Sequence, residues 1–177
     1  MKHPSLQSYL EALDSWDKKH HLKGNTDSEI LCSQSIEAFE ASSHRLGEVK
    51  TLVDVGAGNG ILGFPIFLAG LVERVVFIEP LSKRASFLLF YASSLPEGQR
   101  ERVLVLNERL EKVSREKIER FAQNDLDKCL FCARAFSGNL ELAEVLAQSE
   151  LSDRDVFDFF HDKSSMDKPF MLRHLKA

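Results

Sequence analysis

Short apolar runs alternate with helical stretches over most of this chain. Within the runs almost every position is apolar, whereas apolar residues between them recur at the spacing of one helix face. Near-continuous apolar strands that alternate with helices are typical of a parallel sheet covered on both faces. The pattern therefore predicts an α/β protein with a doubly wound, mostly parallel sheet. Strands are predicted at 51–55, 74–78, 102–106, 128–133 and 156–160, and helices between them at 62–69, 82–95, 114–124 and 139–148.

Two further helices are predicted ahead of the sheet. Apolar residues recur at helical spacing over 6–16, which indicates an amphipathic helix. Thr26 and Glu29 are spaced as in a capping box, in which each side chain accepts a hydrogen bond from the other residue's free amide. This pair is expected to open a second helix that runs to about Ser43, and Gly47 is expected to end it.

Length and composition favour one compact domain, since the chain has 177 residues, of which 44% are hydrophobic. We expect residues 1–47 to form a helical extension and 48–177 to form the α/β core. The net charge of −4 argues against binding to nucleic acid through bulk charge alone, although a local basic patch remains compatible with it. Neither a leader pattern nor a membrane-length apolar window is recognised, so we expect a cytoplasmic protein without membrane contact.

The cysteines and histidines do not predict a metal site. Three cysteines, an odd number, make a disulfide framework unfavourable. Cys129 and Cys132 form a CxxC pattern, but they fall in a predicted strand, where residues three apart point to opposite faces. The histidines show no ligand spacing, and we therefore expect no metal and no redox role.

The stretch DVGAGNGILG, which begins at Asp54, places glycines directly after the first predicted strand. In doubly wound sheets the ligand lies beyond the carboxyl ends of the strands, and the first turn carries the glycines. Gly56 and Gly58 would let the backbone turn sharply and approach a ligand, and Gly60 would admit the helix close to the sheet. Glu79 follows the second predicted strand, where a carboxylate binds ribose hydroxyls. The combination predicts a site for a ribose-containing cofactor.

The charge of Asp54 distinguishes two such cofactors. A carboxylate two residues before Gly56 would repel the pyrophosphate of NAD but attract the ammonium and sulfonium groups of S-adenosylmethionine. Two alternatives stay open at this point: Asp54 accepts hydrogen bonds from loop amides, and Glu79 is a solvated acid at a strand end.

Several motifs in order resemble one family of bacterial enzymes, the methyltransferases that modify guanine N7 in small-subunit ribosomal RNA, historically called glucose-inhibited division protein B. The resemblance runs from Leu6 to about Leu146. It is carried by the stretch WDKKHHL at 16–22, by the glycine loop including Gly63 and Pro65, by EPLSKRASFL at 79–88, and by ARAF at 133–136.

The resemblance implies a class I methyltransferase fold, S-adenosylmethionine as the methyl donor and a guanine of 16S ribosomal RNA as the acceptor. It implies that Arg134 and Arg109 are the site arginines that grip a phosphate or the guanine edge. Arg109 could equally pair with a nearby surface acid. The residues implied in cofactor binding are Asp54, Gly56, Gly58, Gly60, Gly63 and Glu79.

A basic rim is predicted beside this site. Lys83 and Arg84 open a helix, where cations are mildly unfavourable and acids are preferred. Such a rim suits the phosphates of ribosomal RNA in the small subunit, although a solvated pair of cations is an equal alternative. The other members of the predicted rim are Lys18, Lys19, His20, His21 and Lys23.

We expect the protein to be a monomer.

The chain departs from the family pattern in four places, one of which is HLK at 21–23 in place of Asn-Leu-Thr. The histidine and aspartate of the family's second helix are absent from SQSIEA at 33–38, and Leu62 replaces a proline of the glycine loop. The carboxyl-terminal end is expected to be short, with one further strand at 170–175. These departures leave two other hypotheses open: a cofactor-binding module that has lost catalysis, and a methyltransferase with a different acceptor, such as a small molecule.

Overall fold

The computed structural model describes residues 4–20, 27–134, 144–154, 156–160 and 171–175. Two short 3-10 helices, at Leu110–Lys112 and Leu126–Lys128, accompany the main elements. The strands are β1 (Thr51–Val55), β2 (Arg74–Ile78), β3 (Val103–Leu106), β4 (Cys129–Arg134), β5 (Val156–Phe160) and β6 (Met171–Leu175). The helices are α1 (Pro4–His20), α2 (Ser28–Leu46), α3 (Gly63–Leu68), α4 (Ser82–Ser94), α5 (Glu97–Arg100) and α6 (Arg115–Phe121).

The strands form one six-stranded sheet in the order β3-β2-β1-β4-β5-β6. β1 to β5 are parallel, and β6 is antiparallel to β5. The chain moves outward from β1 through β2 to β3 and then returns to place β4 on the other side of β1. The strand order therefore reverses between β1 and β4, which is where ligands bind in doubly wound sheets. The predicted fold is confirmed, including the further strand near the carboxyl terminus.

Two apolar clusters cover the two faces of the sheet because successive strand residues point to opposite sides. The helix-rich cluster combines strand residues such as Leu52 with buried residues of α1, α2, α3 and α4. The thin cluster combines strand residues such as Val53 with residues such as Ile118 of α6. Cys132 belongs to the helix-rich cluster and Cys129 packs against the thin cluster, so the pair does lie on opposite faces, as predicted.

The start of α2 differs from the predicted capping box. The N-cap residue is Asp27, whose Oδ1 accepts a hydrogen bond from the Glu29 amide at 2.8 Å. The N-cap residue is therefore Asp27 and not Thr26. Thr26 lies outside the described residues, so its predicted pairing with Glu29 stays a prediction. The predicted end is confirmed, because α2 stops at Leu46 and Gly47 follows with a φ of +68°.

Smaller differences have local causes. The helix predicted over 114–124 ends at Phe121, because Gln123 and Asn124 adopt left-handed φ values of 59° and 62°. Lys128, predicted to begin a strand, instead ends a 3-10 turn. Of the helix predicted over 139–148, residues 144–147 are helical, and 139–143 lie outside the described residues.

Candidate cofactor-binding site

The glycine loop connects β1 to α3 at the point where the strand order reverses. The amides of Gly56 and Ala57 donate hydrogen bonds to the Ile78 carbonyl at 2.8 and 3.1 Å, which fixes the loop to the end of β2. Gly56, Gly58 and Gly60 have φ values of 68°, 61° and 80°. L-residues with side chains rarely adopt this conformation, so the turn itself requires glycines.

The glycines differ in what surrounds them. A Cβ atom at Gly58 would meet no atom within 4 Å, so this glycine borders open space. A Cβ atom at Gly60 would lie 2.6 Å from Phe64 and 2.8 Å from Leu88, and one at Gly63 would overlap Phe77. Gly58 therefore leaves room for a ligand, whereas Gly60 lets α3 and α4 pack against the loop and Gly63 lets α3 pack against β2.

Glu79 follows β2 and is 2% exposed, so it is not a solvated acid at a strand end. Its Oε2 accepts a hydrogen bond from the Gly58 amide at 2.7 Å, and its Oε1 accepts one from the Leu81 amide at 2.8 Å. The carboxylate thus links the glycine loop to the turn between β2 and α4. Each carboxylate oxygen can accept a second hydrogen bond, so the group remains able to receive two ligand hydroxyls.

Asp54 lies beneath the loop and is 1% exposed. Its Oδ2 accepts a hydrogen bond from the Gly63 amide at 3.0 Å, at the first residue of α3. A carboxylate is favourable there because the first amides of a helix have no partner within the helix. Asp54 therefore makes the contact with a loop amide that was the alternative to a direct ligand contact.

Two contacts from the amino-terminal helices reach the same loop, and sequence reasoning missed both. The Tyr9 hydroxyl of α1 donates a hydrogen bond to the Asn59 carbonyl at 2.9 Å. The Ser35 hydroxyl of α2 lies 3.2 Å from the Ile61 carbonyl, within the stretch that departs from the family pattern. The apolar face of α1 marks Tyr9 as a core residue, but no sequence signal identifies its partner 50 residues away.

A third missed residue is Asn107, which directly follows β3. Its Nδ2 donates hydrogen bonds to the carbonyls of Glu79 and Pro80 at 2.8 and 3.1 Å. Asn107 therefore contacts the turn that carries the Glu79 carboxylate. The sequence gives no signal for this role, because an exposed asparagine after a strand is common in loops.

The two predicted arginines lie on different parts of the sheet edge. Arg134 is the last residue of β4, beside β1 and the glycine loop. Arg109 lies beyond β3 and is exposed, and it makes no ion pair with the described residues. Because β2 and β1 separate β3 from β4, the two strands are about 14 Å apart. The sheet brings Arg134 to the glycine loop but does not bring Arg109 to Arg134.

The predicted basic rim is partly described. Lys83 and Arg84 are exposed in the first turn of α4, which contains no acidic residue, and Lys18 is exposed on α1. Lys19 and His20 are the last two residues of α1, and His21 and Lys23 lie outside the described residues.

Burial keeps the thiols of Cys129 and Cys132 in their neutral form. Burial raises the pKa of Cys129 to about 11 and raises the pKa of Cys132 well above the ordinary thiol range. Over the described ranges, no group of three His, Cys, Asp or Glu side chains is arranged to hold a metal ion. In the same part of the chain, no helix combines the length and the apolar character needed to cross a membrane.

The sheet and its glycine loop define the α/β, Rossmann-like fold of the class I methyltransferases. A crystal structure of the glycopeptide N-methyltransferase MtfA complexed with (S)-adenosyl-L-methionine shares it, with a TM-score of 0.51 over 81% of this chain and 66% of that one, at 14% identity. The family model for rRNA small subunit methyltransferase G matches residues 2–167. The chain belongs to this family, as its motifs predicted.

Curated relatives carry the same family name. Ribosomal RNA small subunit methyltransferase G of Helicobacter acinonychis is 28% identical over 165 residues, which cover 93% of this chain and 85% of the relative. The protein of that name from Helicobacter pylori strain J99 is 29% identical over 157 residues, which cover 89% of this chain and 80% of the relative.

Proposed function

We propose that this protein is an S-adenosylmethionine-dependent methyltransferase that acts on guanine N7 in 16S ribosomal RNA. One observation carries the proposal: the buried Glu79 carboxylate lies against Gly58, the glycine that borders open space, where the strand order reverses. Membership of the rRNA small subunit methyltransferase G family supports the reaction and the acceptor.

The described residues fit an adenosyl group. Gly58 leaves room for a flat nucleoside above the loop, and Glu79 offers an acceptor to each of two ribose hydroxyls. Gly56 shapes the turn, Gly60 lets α3 and α4 approach it, and Gly63 lets α3 approach β2. Asp54 holds the start of α3, and its negative charge would favour the cationic groups of a bound S-adenosylmethionine.

The proposed chemistry needs positioning and no general base. S-adenosylmethionine supplies a methyl group on a positively charged sulfur, and guanine N7 presents a lone pair with no proton to remove. The chain would therefore contribute by holding guanine N7 in line with the methyl group and the sulfur, with the reacting atoms about 3–3.5 Å apart. Arg134 orients the acceptor beside the glycine loop, while Arg109 and the exposed cations of α4 bind RNA phosphates farther along the edge.

We also propose that residues 1–177 form one domain. The support is that α1 and α2 contribute Tyr9, Leu13, Cys32 and Phe39 to the same apolar cluster as the sheet. An extension with its own separate core would not share these contacts.

The reaction is tested with methyl-labelled S-adenosylmethionine and small ribosomal subunits that lack the modification. We expect label in 16S RNA at a guanine, and mass analysis of digested RNA should place it on N7. Arg134→Ala should bind the cofactor as the parent does but transfer methyl groups more slowly. A parent protein that binds the cofactor without labelling RNA would contradict the proposal and favour the module that has lost catalysis, whereas label in a small molecule would favour the other acceptor.

A further inference from the structure

Asn107 connects the edge strand β3 to the turn between β2 and α4 through three hydrogen bonds. Its Nδ2 donates to the carbonyl oxygens of Glu79 and Pro80 at 2.8 and 3.1 Å. Its Oδ1 lies 3.0 Å from the Ser82 hydroxyl, which donates to it at the first residue of α4. One amide side chain thus contacts three of the four residues 79–82, all except Leu81.

The same turn sets the direction of the Glu79 carboxylate. The carboxylate is held from the other side by the amides of Gly58 and Leu81, at 2.7 and 2.8 Å. Leu81, the N-cap residue of α4, makes no side-chain capping bond. Since leucine has no acceptor with which to fix a helix start, the contacts of Asn107 replace part of the missing local restraint.

We propose that Asn107 is a positioning residue for binding of the cofactor ribose. Asn107 acts through Glu79 and does not itself have to touch the cofactor. This inference rests on the proposed function. Hydrogen-bond acceptors must be held close to their productive geometry to be effective, and the Glu79 side chain has three rotatable bonds of its own. With its backbone fixed by Asn107 and its oxygens fixed by two amides, the carboxylate is restrained at both ends.

The test uses isosteric and conservative variants in calorimetric titrations with S-adenosylmethionine. Asn107→Asp keeps the size of the side chain but turns the donor toward Glu79 and Pro80 into an acceptor, so we expect the affinity to fall by at least about tenfold, given roughly fivefold per hydrogen bond. Asn107→Gln keeps the donor and should recover most of the affinity. Asn124→Asp, the same change at another exposed asparagine, should leave the affinity unchanged.

A positioning role also predicts how the kinetics and a second substitution behave. In Asn107→Asp the KM for the cofactor should rise while kcat changes little, since the residues that bind the methyl acceptor are unchanged. In a Glu79→Gln background the effect of Asn107→Asp should shrink, because both changes act on the same carboxylate contact. Independent, fully additive effects would contradict action through Glu79.

Hydrogen exchange in the ligand-free protein separates this inference from the proposed function. The amides of Gly58 and Leu81 should exchange faster in Asn107→Asp than in the parent, whereas the buried Val76 amide of β2 should be unaffected. Unchanged exchange together with parental affinity would overturn the role of Asn107 alone. A parent protein that does not bind S-adenosylmethionine would overturn both the role and the proposed function.

Discussion

Gly60→Ala is expected to destabilise the protein strongly, for two separable reasons. The backbone at Gly60 has a φ of +80°, and an L-residue in this region costs about 1–2 kcal/mol. The new methyl group would also lie 2.6 Å from Cδ2 of Phe64 and 2.8 Å from Cδ2 of Leu88. Overpacking of a buried site costs about 1–3 kcal/mol, so the expected loss is about 2–5 kcal/mol.

The Phe64 ring cannot move aside to relieve this contact. Its centroid lies 4.5 Å from that of Phe77, 4.8 Å from that of Tyr91 and 5.3 Å from that of Tyr9. Leu88 can change rotamer, so the expected loss of unfolding free energy is smaller than it would be if neither neighbour could move. For a domain with a stability of about 5–15 kcal/mol, the change is large but need not prevent folding.

Gly58→Ala provides the matched control. Gly58 has a similar φ of +61°, but a Cβ atom there meets no atom within 4 Å. The difference in unfolding free energy between the two variants therefore isolates the packing contribution. It is measured by denaturant unfolding followed by circular dichroism, with the slope m required to stay constant.

Gly60→Ala should also lower the melting temperature by roughly 4–20 °C. Gly58→Ala should lower the unfolding free energy less than Gly60→Ala does. It should weaken binding of S-adenosylmethionine, because its methyl group enters the space beside Glu79. If Gly60→Ala were no less stable than Gly58→Ala, the argument from close packing would be wrong.

Three further outcomes are expected. Glu79→Gln leaves one acceptor oxygen for the amides of Gly58 and Leu81, so calorimetry should show affinity for S-adenosylmethionine lower by about tenfold; Glu97→Gln, at an exposed position of α5, should have no effect. Tyr9→Phe removes the donor to the Asn59 carbonyl and should lower the unfolding free energy by about 1 kcal/mol in urea titrations; an unchanged midpoint would contradict it. Because burial raises the pKa of Cys129 to about 11, only about 0.1% of it is thiolate at about pH 8; mass spectrometry should find iodoacetamide labelling of this cysteine only after denaturant is added, and rapid native labelling would refute the assignment.

The strands were predictable because their signal is local. β1, β2 and β5 begin and end where their apolar runs do. For β1 and β2 the reason is burial on both faces, since such strands contain few polar positions. The boundary of α2 was not predictable to the residue, because Thr26, Asp27 and Ser28 are all good N-cap residues. Only the conformation of the chain shows that Asp27 accepts the Glu29 amide.

The site was predictable where chemistry follows strand ends, and not where it depends on neighbours distant in sequence. The glycine loop and Glu79 stand where a doubly wound sheet places them. The contacts of Tyr9 with Asn59 and of Asn107 with Glu79 join residues 50 and 28 positions apart, and no sequence periodicity marks such pairs. Asp54 shows a further limit, since its charge suggested a ligand contact while its depth supplies a partner within the protein.

The unequal covering of the sheet has a consequence for how the molecule comes apart. The glycine loop emerges from the helix-rich cluster, and contacts from α1 and α2 reach it. Opening of the layer that contains α6 would expose the thin cluster without removing any of those contacts. In mild denaturant the glycine loop should thus be among the last parts to unfold. The protein would then still bind S-adenosylmethionine after the layer that contains α6 has opened.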